Sequence, residues 1–104
     1  MSKYHAVKTI VDGIVFASKA EVARYWELKL AQQAGEIHGL TLQPRFPIVI
    51  NNKKVCDYIA DFEYITSSGV RVIEDVKGQR LPLYRLKKKM FEAAYGMRIT
   101  EICD

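Results

Sequence analysis

Residues Val70 to Gly78, which read Val-Arg-Val-Ile-Glu-Asp-Val-Lys-Gly, constrain the fold more than any other stretch of the chain. Their β-branched side chains predict a buried strand. Charged side chains are rarely buried unless they are paired or bind a metal. We therefore expect one of these two explanations for Glu74, Asp75 and Lys77. Because a strand alternates its faces, Asp75 and Lys77 share one face, and we expect Glu74 to meet solvent or a basic side chain on the other.

A second acidic residue lies in an apolar run, Tyr58-Ile59-Ala60-Asp61-Phe62, which we assign to a strand spanning residues 55–65. Asp61 precedes Asp75 by fourteen positions, about the length of a short β-hairpin. Magnesium takes hard oxygen ligands and keeps several waters, so two carboxylates and a phosphate oxygen form a typical site. A nearby lysine can orient a water or stabilise charge that develops on the phosphate. The alternative is a salt bridge between Asp75 and Lys77, with Asp61 in a turn.

A helix is predicted from Ser18 to a stop at Gly35, because Ser18-Lys-Ala-Glu21 fits the capping-box pattern. Glu21 has two interpretations: it is the capping partner of Ser18, or it projects over the sheet as a third acidic ligand. The apolar positions recur at helical spacing and predict one face towards a core. These positions are Val22, Tyr25, Trp26, Leu28 and Leu30.

The remaining elements follow from turn and breaker residues. A hairpin over residues 7–17 turns at Asp12-Gly13, and an extended segment over 37–50 is broken by Pro44 and Pro47. A second helix runs from Pro82 to about Tyr95, and a final strand covers 97–103. The apolar stripe of this helix is predicted to be Leu83, Leu86, Met90 and Ala94. The order predicts one α/β domain over 1–104, with a central mixed β-sheet flanked by two helices.

Positive charge is concentrated after the acidic strand. The chain has a net charge of +4, and the segment from Lys77 to Lys89 holds six basic residues and no acidic one. In most proteins such a run is a solvated helix face, but here it follows the candidate metal site, which favours contact with phosphates. The predicted nucleic-acid contacts are Arg80, Tyr84, Arg85, Lys87, Lys88 and Lys89, with core packing as the alternative for Tyr84.

Composition excludes several classes of protein. The 104 residues are 49% hydrophobic, which suits a folded domain, and the two cysteines, Cys56 and Cys103, lack metal-ligand spacing. No run approaches transmembrane length, and the first residues lack the apolar core of a signal peptide. We therefore expect no membrane association and a cytoplasmic location.

Five stretches in this order resemble the PD-(D/E)XK nuclease superfamily, which has the restriction-endonuclease-like fold. They are Phe16 to Glu21, Leu42 to Phe46, Tyr58 to Phe62, Glu74 to Gly78 and Tyr84 to Phe91. More narrowly, the chain resembles a small phage-associated family within that superfamily. Ala60 replaces the usual proline before the first aspartate, which removes a backbone constraint but no ligand.

The resemblance implies magnesium-dependent hydrolysis of DNA phosphodiester bonds, with Mn²⁺ expected to substitute, in a bacterial or phage-infected cell. It places the metal-binding acids on Asp61 and Asp75, the helical acid on Glu21 and the catalytic lysine on Lys77. The backbone carbonyl of Val76 is a further candidate ligand. Two alternatives stay open: a resolvase for Holliday junctions or other branched DNA, and a domain of the same fold that only binds nucleic acid. A homodimer would give so small a domain more surface with which to hold a duplex.

Overall fold

A computed structural model of the protein describes residues 8–77 and 80–103. Val7, the predicted start of the hairpin, and Gly78, the end of the acidic stretch, lie outside the described residues. Two helices and eight strands follow one another in the described parts of the chain. In order, they are β1 (Thr9–Val11), β2 (Ile14–Phe16), α1 (Lys19–Gln33), β3 (Ile37–Leu42), β4 (Arg45–Ile50), β5 (Lys53–Ile59), β6 (Phe62–Thr66), β7 (Arg71–Lys77), α2 (Pro82–Tyr95) and β8 (Ile99–Cys103).

A four-stranded sheet in the order β3-β6-β7-β8 forms the centre of the molecule. β3, β6 and β7 pair antiparallel, whereas β8 pairs parallel with β7 after the crossover through α2. β7 is thus an inner strand, as its β-branched sequence predicts. The mixed α/β architecture with a central sheet and two helices is confirmed.

Two hairpins accompany this sheet. β1 and β2 pair through the predicted turn at Asp12-Gly13, where both residues have positive φ (52° and 75°), as a type I′ turn requires. β4 and β5 form a separate antiparallel pair. Pro47 is tolerated within β4 because a two-stranded hairpin offers an edge where no N–H is needed.

The single strand predicted over residues 55–65 is wrong. The chain leaves β5 at Ile59 and enters β6 at Phe62, and these two strands belong to different sheets. The connection at Ala60 and Asp61 is fixed by backbone hydrogen bonds, since the N–H of Ala60 donates to Pro44 O (3.1 Å) and that of Asp61 donates to Glu74 O (3.1 Å). Ala60 is buried like Tyr58 and Phe62, so the alternating pattern of a strand continues through the connection and hides the break from sequence analysis.

Each face of the central sheet has its own core. On the α1 face the buried residues are Phe16, Tyr25, Leu28, Ile37, Phe62, Tyr64 and Val76. On the α2 face they are Phe46, Ile48, Tyr58, Ala60, Ile73, Phe91 and Ile99. Alternation along β7 therefore sends Val76 to one core and Ile73 to the other, as the period of two requires.

Both predicted helix faces need correction. In α1, Tyr25 and Leu28 are buried, but Trp26 and Leu30 are 43% and 63% exposed.

In α2 the predicted leucine stripe faces outward, with Leu83 and Leu86 more than half exposed. This helix packs instead through Phe91, whose ring lies 4.9 Å from those of Phe46 and Tyr95. Its aromatic residues bury more area than leucine does, which decides the orientation of the helix.

No helix in residues 8–77 and 80–103 is long and apolar enough to cross a membrane. Cys56 and Cys103 are both free thiols.

Candidate active site at the end of strand β7

Asp75 is the most unusual side chain of the described structure. It is 1% exposed, and neither carboxylate oxygen accepts a hydrogen bond from a described residue. Burial raises the pKa of Asp75 to about 7, with Glu21 and Glu101 adding to the rise and the Lys77 ammonium opposing it. A buried carboxylate without partners costs stability, so this position favours a group that brings positive charge.

Asp61 lies beside Asp75, as the hairpin spacing predicts, although it precedes β6 rather than lying within a strand. Its Oδ2 accepts a hydrogen bond from the backbone N–H of Val76 at 2.7 Å. Burial raises the pKa of Asp61, while this hydrogen bond and the Lys77 ammonium act in the opposite direction. The carboxylate is thus held against the end of β7 by the backbone of its neighbour.

Glu21 is the capping partner of Ser18, and its carboxyl group also lies near Asp61. The Oγ of Ser18 accepts the N–H of Glu21 at 3.2 Å and lies 3.4 Å from its Oε2, so Ser18 caps α1. Burial raises the pKa of Glu21, and the neighbouring Asp61 carboxylate raises it further, while Lys77 lowers it. Glu21, the capping partner of Ser18, therefore also places its carboxyl group near Asp61.

Lys77 shares a strand face with Asp75, and its Nζ lies 3.9 Å from Asp75 Oδ1. The same Nζ lies 4.4 Å from the centre of the Tyr84 ring, within the range of a cation–π interaction. The ammonium group is therefore placed between a carboxylate and an aromatic face. Tyr84 comes from the first turn of α2, so the helix that follows β7 folds back over the lysine.

Glu101 is a residue of this neighbourhood that sequence analysis missed. The parallel register pairs it with Asp75 across β7 and β8. Its carboxylate accepts hydrogen bonds from the Arg80 Nε and the Tyr84 hydroxyl, each at 2.8 Å, and Lys88 Nζ lies 3.5 Å away. Arg80, Tyr84 and Lys88 together lower the pKa of Glu101. The final strand was predicted, but nothing in the sequence gives its register.

Glu74 occupies the opposite face of β7, as alternation predicts. It meets a basic side chain there but is fully buried rather than near solvent. Arg24 holds it with two hydrogen bonds, Nε to Oε1 at 2.8 Å and Nη2 to Oε2 at 2.6 Å, and the Tyr64 hydroxyl also donates to Oε2. This acid has a complete set of partners.

Two further acids, one in β5 and one in β6, lie in ion pairs with basic side chains. Asp57 accepts from Arg45 at 2.7 Å and lies 2.9 Å from Lys54, and Glu63 accepts from Arg71. Each is balanced by a basic side chain, although Asp57 Oδ1 is buried and accepts no hydrogen bond from a described residue.

The predicted nucleic-acid contacts fall into three sets. Arg80, Tyr84 and Lys88 are bonded to or beside Glu101. Arg85 and Lys89 are exposed on α2, one turn apart, and their side chains make no hydrogen bond or ion pair to other described residues. Lys87 lines a groove of about 340 Å³ together with Tyr84. The groove is completed by Asp57, Tyr58, Ile59, Leu81 and Leu83.

Residues 1–103 match the family described as "Protein of unknown function (DUF1064)". The chain belongs to this DUF1064 family. No curated protein and no solved structure gives a significant match.

Within the described part of the DUF1064 chain, no three His, Cys, Asp or Glu side chains form a group that would hold a metal by themselves. An ion that takes two carboxylates and completes its shell with water and phosphate needs no such group. The unpartnered oxygens of Asp75, beside the carboxylate of Asp61, fit a hard divalent cation of this kind. The arrangement therefore combines acidic oxygen donors with one fixed ammonium group.

Proposed function

We propose that the protein is a metal-dependent DNA endonuclease built on a restriction-endonuclease-like core. The observation that carries the proposal is Asp75, a buried carboxylate that accepts no hydrogen bond from a described residue and whose paired cation, Lys77, stays 3.9 Å away. Acids placed this way raise the energy of the metal-free protein unless a cation offsets their charge. The order of helix, strands, helix and strand around these residues is similar to the core of the PD-(D/E)XK superfamily.

Magnesium would be held by Asp75 and Asp61, with Glu21 and the carbonyl of Val76 as further ligands; manganese should replace it. When bound, the ion supplies positive charge that polarises the phosphodiester and makes a water more acidic. The chain positions the donors. The Val76 N–H fixes Asp61, and the Ser18 cap fixes Glu21 at the start of α1.

Lys77 contributes a preorganised charge on the face of β7 where the acids lie. Its ammonium group orients the attacking water and stabilises negative charge that grows on the phosphate in the transition state. A purely nucleic-acid-binding domain would gain nothing from unpartnered acids near phosphates, because like charges repel. The acids therefore favour catalysis over binding alone.

The cations of α2 support a substrate with a phosphate backbone, and the resemblance to the PD-(D/E)XK superfamily favours DNA. Arg85 and Lys89 are exposed and available to a phosphate backbone, and phosphate contacts of this kind carry no sequence information. We propose a substrate recognised by its backbone and shape.

The test is cleavage of linear, flapped and four-way DNA with Mg²⁺, with Mn²⁺ and with a chelator. We expect cleavage only with metal, and its complete loss in Asp75→Asn. Asp57→Asn, which changes an acid paired with basic side chains, is the matched control and should cut normally. Selective cleavage of the four-way substrate would identify a junction resolvase. Metal-dependent binding without cleavage of any substrate would contradict the nuclease proposal.

Lys77→Ala separates chemistry from binding. Loss of one preorganised charge at a developing anion costs about 10²–10³ in rate, whereas the variant should still bind DNA because other cations lie close by. Lys77→Arg should rescue poorly, since a planar guanidinium cannot replace a compact ammonium group. Single-turnover cleavage with saturating enzyme measures this effect. A Lys77→Ala rate within a few-fold of wild type would make Lys77 a structural ion-pair partner.

A further inference from the structure

The position of Lys77 raises a structural question of its own. A charge-assisted N–H···O hydrogen bond is typically about 2.7–2.9 Å long, yet Lys77 Nζ stays 3.9 Å from Asp75 Oδ1. Asp75 is buried and has no hydrogen-bond partner among the described residues, so a direct ion pair would be favourable. Some contact must hold the ammonium group away from the carboxylate.

Tyr84 provides that contact. Its ring centre lies 4.4 Å from Lys77 Nζ, a distance at which the ring face attracts a cation. Asp75 pairs with this ammonium group and Tyr84 makes its cation–π contact, while the carboxylates of Asp61 and Glu21 also attract it. The lysine is therefore shared between an attraction that would quench Asp75 and one that draws it aside.

The Tyr84 ring is itself held in place by Glu101. The Tyr84 hydroxyl donates to Glu101 Oε2 at 2.8 Å, and Arg80 Nε donates to the other oxygen, Oε1, at 2.8 Å. Lys88 Nζ lies 3.5 Å from the oxygen that accepts from Tyr84. Glu101 lies in β8 opposite Asp75, so the same sheet carries the carboxylate and the anchor of the ring.

We propose that Tyr84 and Glu101 are positioning residues that hold Lys77 off Asp75, and so keep the Asp75 carboxylate available to a divalent cation. The inference rests on the proposed function, because it assigns Asp75 to metal binding. Without the ring, the ammonium group closes on Asp75 and occupies the oxygen that would bind the ion. Lys77 then also leaves the place from which it acts on the phosphate.

The experiment measures metal binding without DNA. Isothermal titration of the full chain with Mn²⁺ compares wild type with Tyr84→Leu, which removes the ring. We expect metal affinity to fall by at least about tenfold, in line with the upper part of the cation–π range. Tyr84→Phe keeps the ring and loosens only its anchor, so it should lower the affinity by a few-fold.

Tyr95 offers the matched control on the same helix. Its hydroxyl donates to the Pro47 carbonyl at 2.7 Å, so Tyr95→Phe removes a hydrogen bond like that of Tyr84 but away from the lysine. Tyr95→Phe should bind Mn²⁺ as wild type does. An equal loss of affinity in Tyr84→Phe and Tyr95→Phe would overturn the proposal and leave Tyr84 as a packing residue.

A double variant gives the decisive comparison. If Tyr84 acts through Lys77, the Tyr84→Leu substitution should have no effect on metal affinity in a Lys77→Met background, where no ammonium group can close on Asp75. If Tyr84 only supports the fold, affinity should fall equally in both backgrounds, which would overturn the proposal. Circular dichroism confirms that each variant is folded.

The outcomes for the two proposals are distinct. Wild type that binds metal and cuts DNA, with Tyr84→Leu unchanged in metal affinity, would overturn the positioning role alone. Wild type that neither binds metal nor cuts DNA would overturn the proposed function and this inference with it.

Discussion

Glu74 and Asp75 are consecutive residues of one strand, equally buried and of the same charge type, yet their surroundings differ completely. Glu74 faces α1, where Arg24 holds it with two hydrogen bonds and Tyr64 donates a third. Asp75 faces α2, where no described residue donates a hydrogen bond to it. Burial alone therefore does not distinguish an acid that stabilises a fold from one that serves a site; the number of its partners does.

The difference follows from the side chains that meet β7 on each of its faces. The α1 face closes over Glu74 with a guanidinium group, whose planar fork matches a carboxylate. The α2 face offers Asp75 only a lysine at 3.9 Å, which an aromatic ring also attracts. The acid on one side of β7 has a full set of hydrogen-bond donors, and the acid on the other side has none among the described residues.

The largest expected effect is a decrease in the free energy of unfolding as pH rises, and Asp75 is its main cause. In the metal-free protein its pKa is about 7 rather than the ordinary 3.8, so between these values the folded state keeps a proton that the unfolded chain has released. The free energy of unfolding should therefore decrease as pH rises through this window, by at most about 4 kcal/mol. Glu21 and Asp61, whose pKa values are also raised, add to the decrease.

Urea unfolding with a chelator at several pH values from 4 to 8 measures this dependence. Asp75→Asn should flatten most of it and be more stable than wild type at pH 7, and added Mg²⁺ should flatten the wild-type curve. Parallel curves for the two proteins would mean that Asp75 is already compensated within the fold.

On the other face, Glu74→Gln should destabilise the protein by about 3 kcal/mol. The substitution removes the buried one of the two carboxylates that pair with Arg24 and leaves only the exposed Glu27, and loss of a buried charged partner is costly. Glu63→Gln is the matched control, because Glu63 pairs with Arg71 nearer the surface, where an ion pair contributes about 0–1 kcal/mol. Equal losses in the two variants, measured by urea unfolding, would remove the contrast between the faces of β7.

Much of this contrast can be read from the sequence. Alternation along Val70–Lys77 places Glu74 and Asp75 on opposite faces, and the spacing of Asp61 and Asp75 predicts that a hairpin brings them together. Both depend on local periodicity, which the chain itself carries. The capping box likewise locates the start of α1 at Ser18.

The sequence does not show which distant residue meets each of these two buried acids. Arg24 lies fifty positions before Glu74, and the pairing of Glu101 with Asp75 depends on the register of a parallel strand added after a crossover. The break at Ala60 is hidden for a related reason, since a buried alanine continues the apolar pattern. Contacts between distant segments depend on how the folded elements pack. A single sequence does not show which of these segments will meet.

The next largest expected effect is a difference between Asp61 and Asp75 in their contributions to stability. Asp61→Ala should lower the free energy of unfolding by about 1–3 kcal/mol, because the Val76 N–H loses its acceptor. Asp75→Ala removes no hydrogen bond and should leave metal-free stability at pH 7 unchanged or raised. Both should abolish cleavage. Asp61→Asn keeps an acceptor oxygen for the Val76 N–H. This variant should therefore be almost as stable as wild type but should not cleave DNA.

That pattern requires stability and cleavage to be measured on the same four proteins. If Asp61→Ala is as stable as wild type, then its carboxylate is no structural anchor, and the two acids are equivalent in the metal-free protein.

The smallest expected effect extends the contrast between partnered and unpartnered groups to the cations of α2. Arg85 and Lys89 are exposed, whereas Arg80 and Lys88 are engaged by Glu101. Removal of one cation that binds a phosphate should reduce the salt dependence of DNA affinity by about one in log–log slope. The double variant Arg85→Ala/Lys89→Ala should thus lower the slope by about two and weaken binding to all sequences alike. Arg80→Ala/Lys88→Ala should change it less, since these side chains already neutralise a carboxylate.

Fluorescence anisotropy at several salt concentrations measures the slopes, in an Asp75→Asn background so that no DNA is cut. Lys8 and Lys53, exposed lysines outside α2, provide the control pair as a double alanine variant and should leave the slope unchanged. If all three pairs lower the slope equally, DNA is held by overall positive charge rather than by α2. If the Glu101-bound pair has the largest effect, DNA displaces that carboxylate on binding, and Tyr84 and Lys77 must move with it, because the ring that holds the lysine is anchored to the same group.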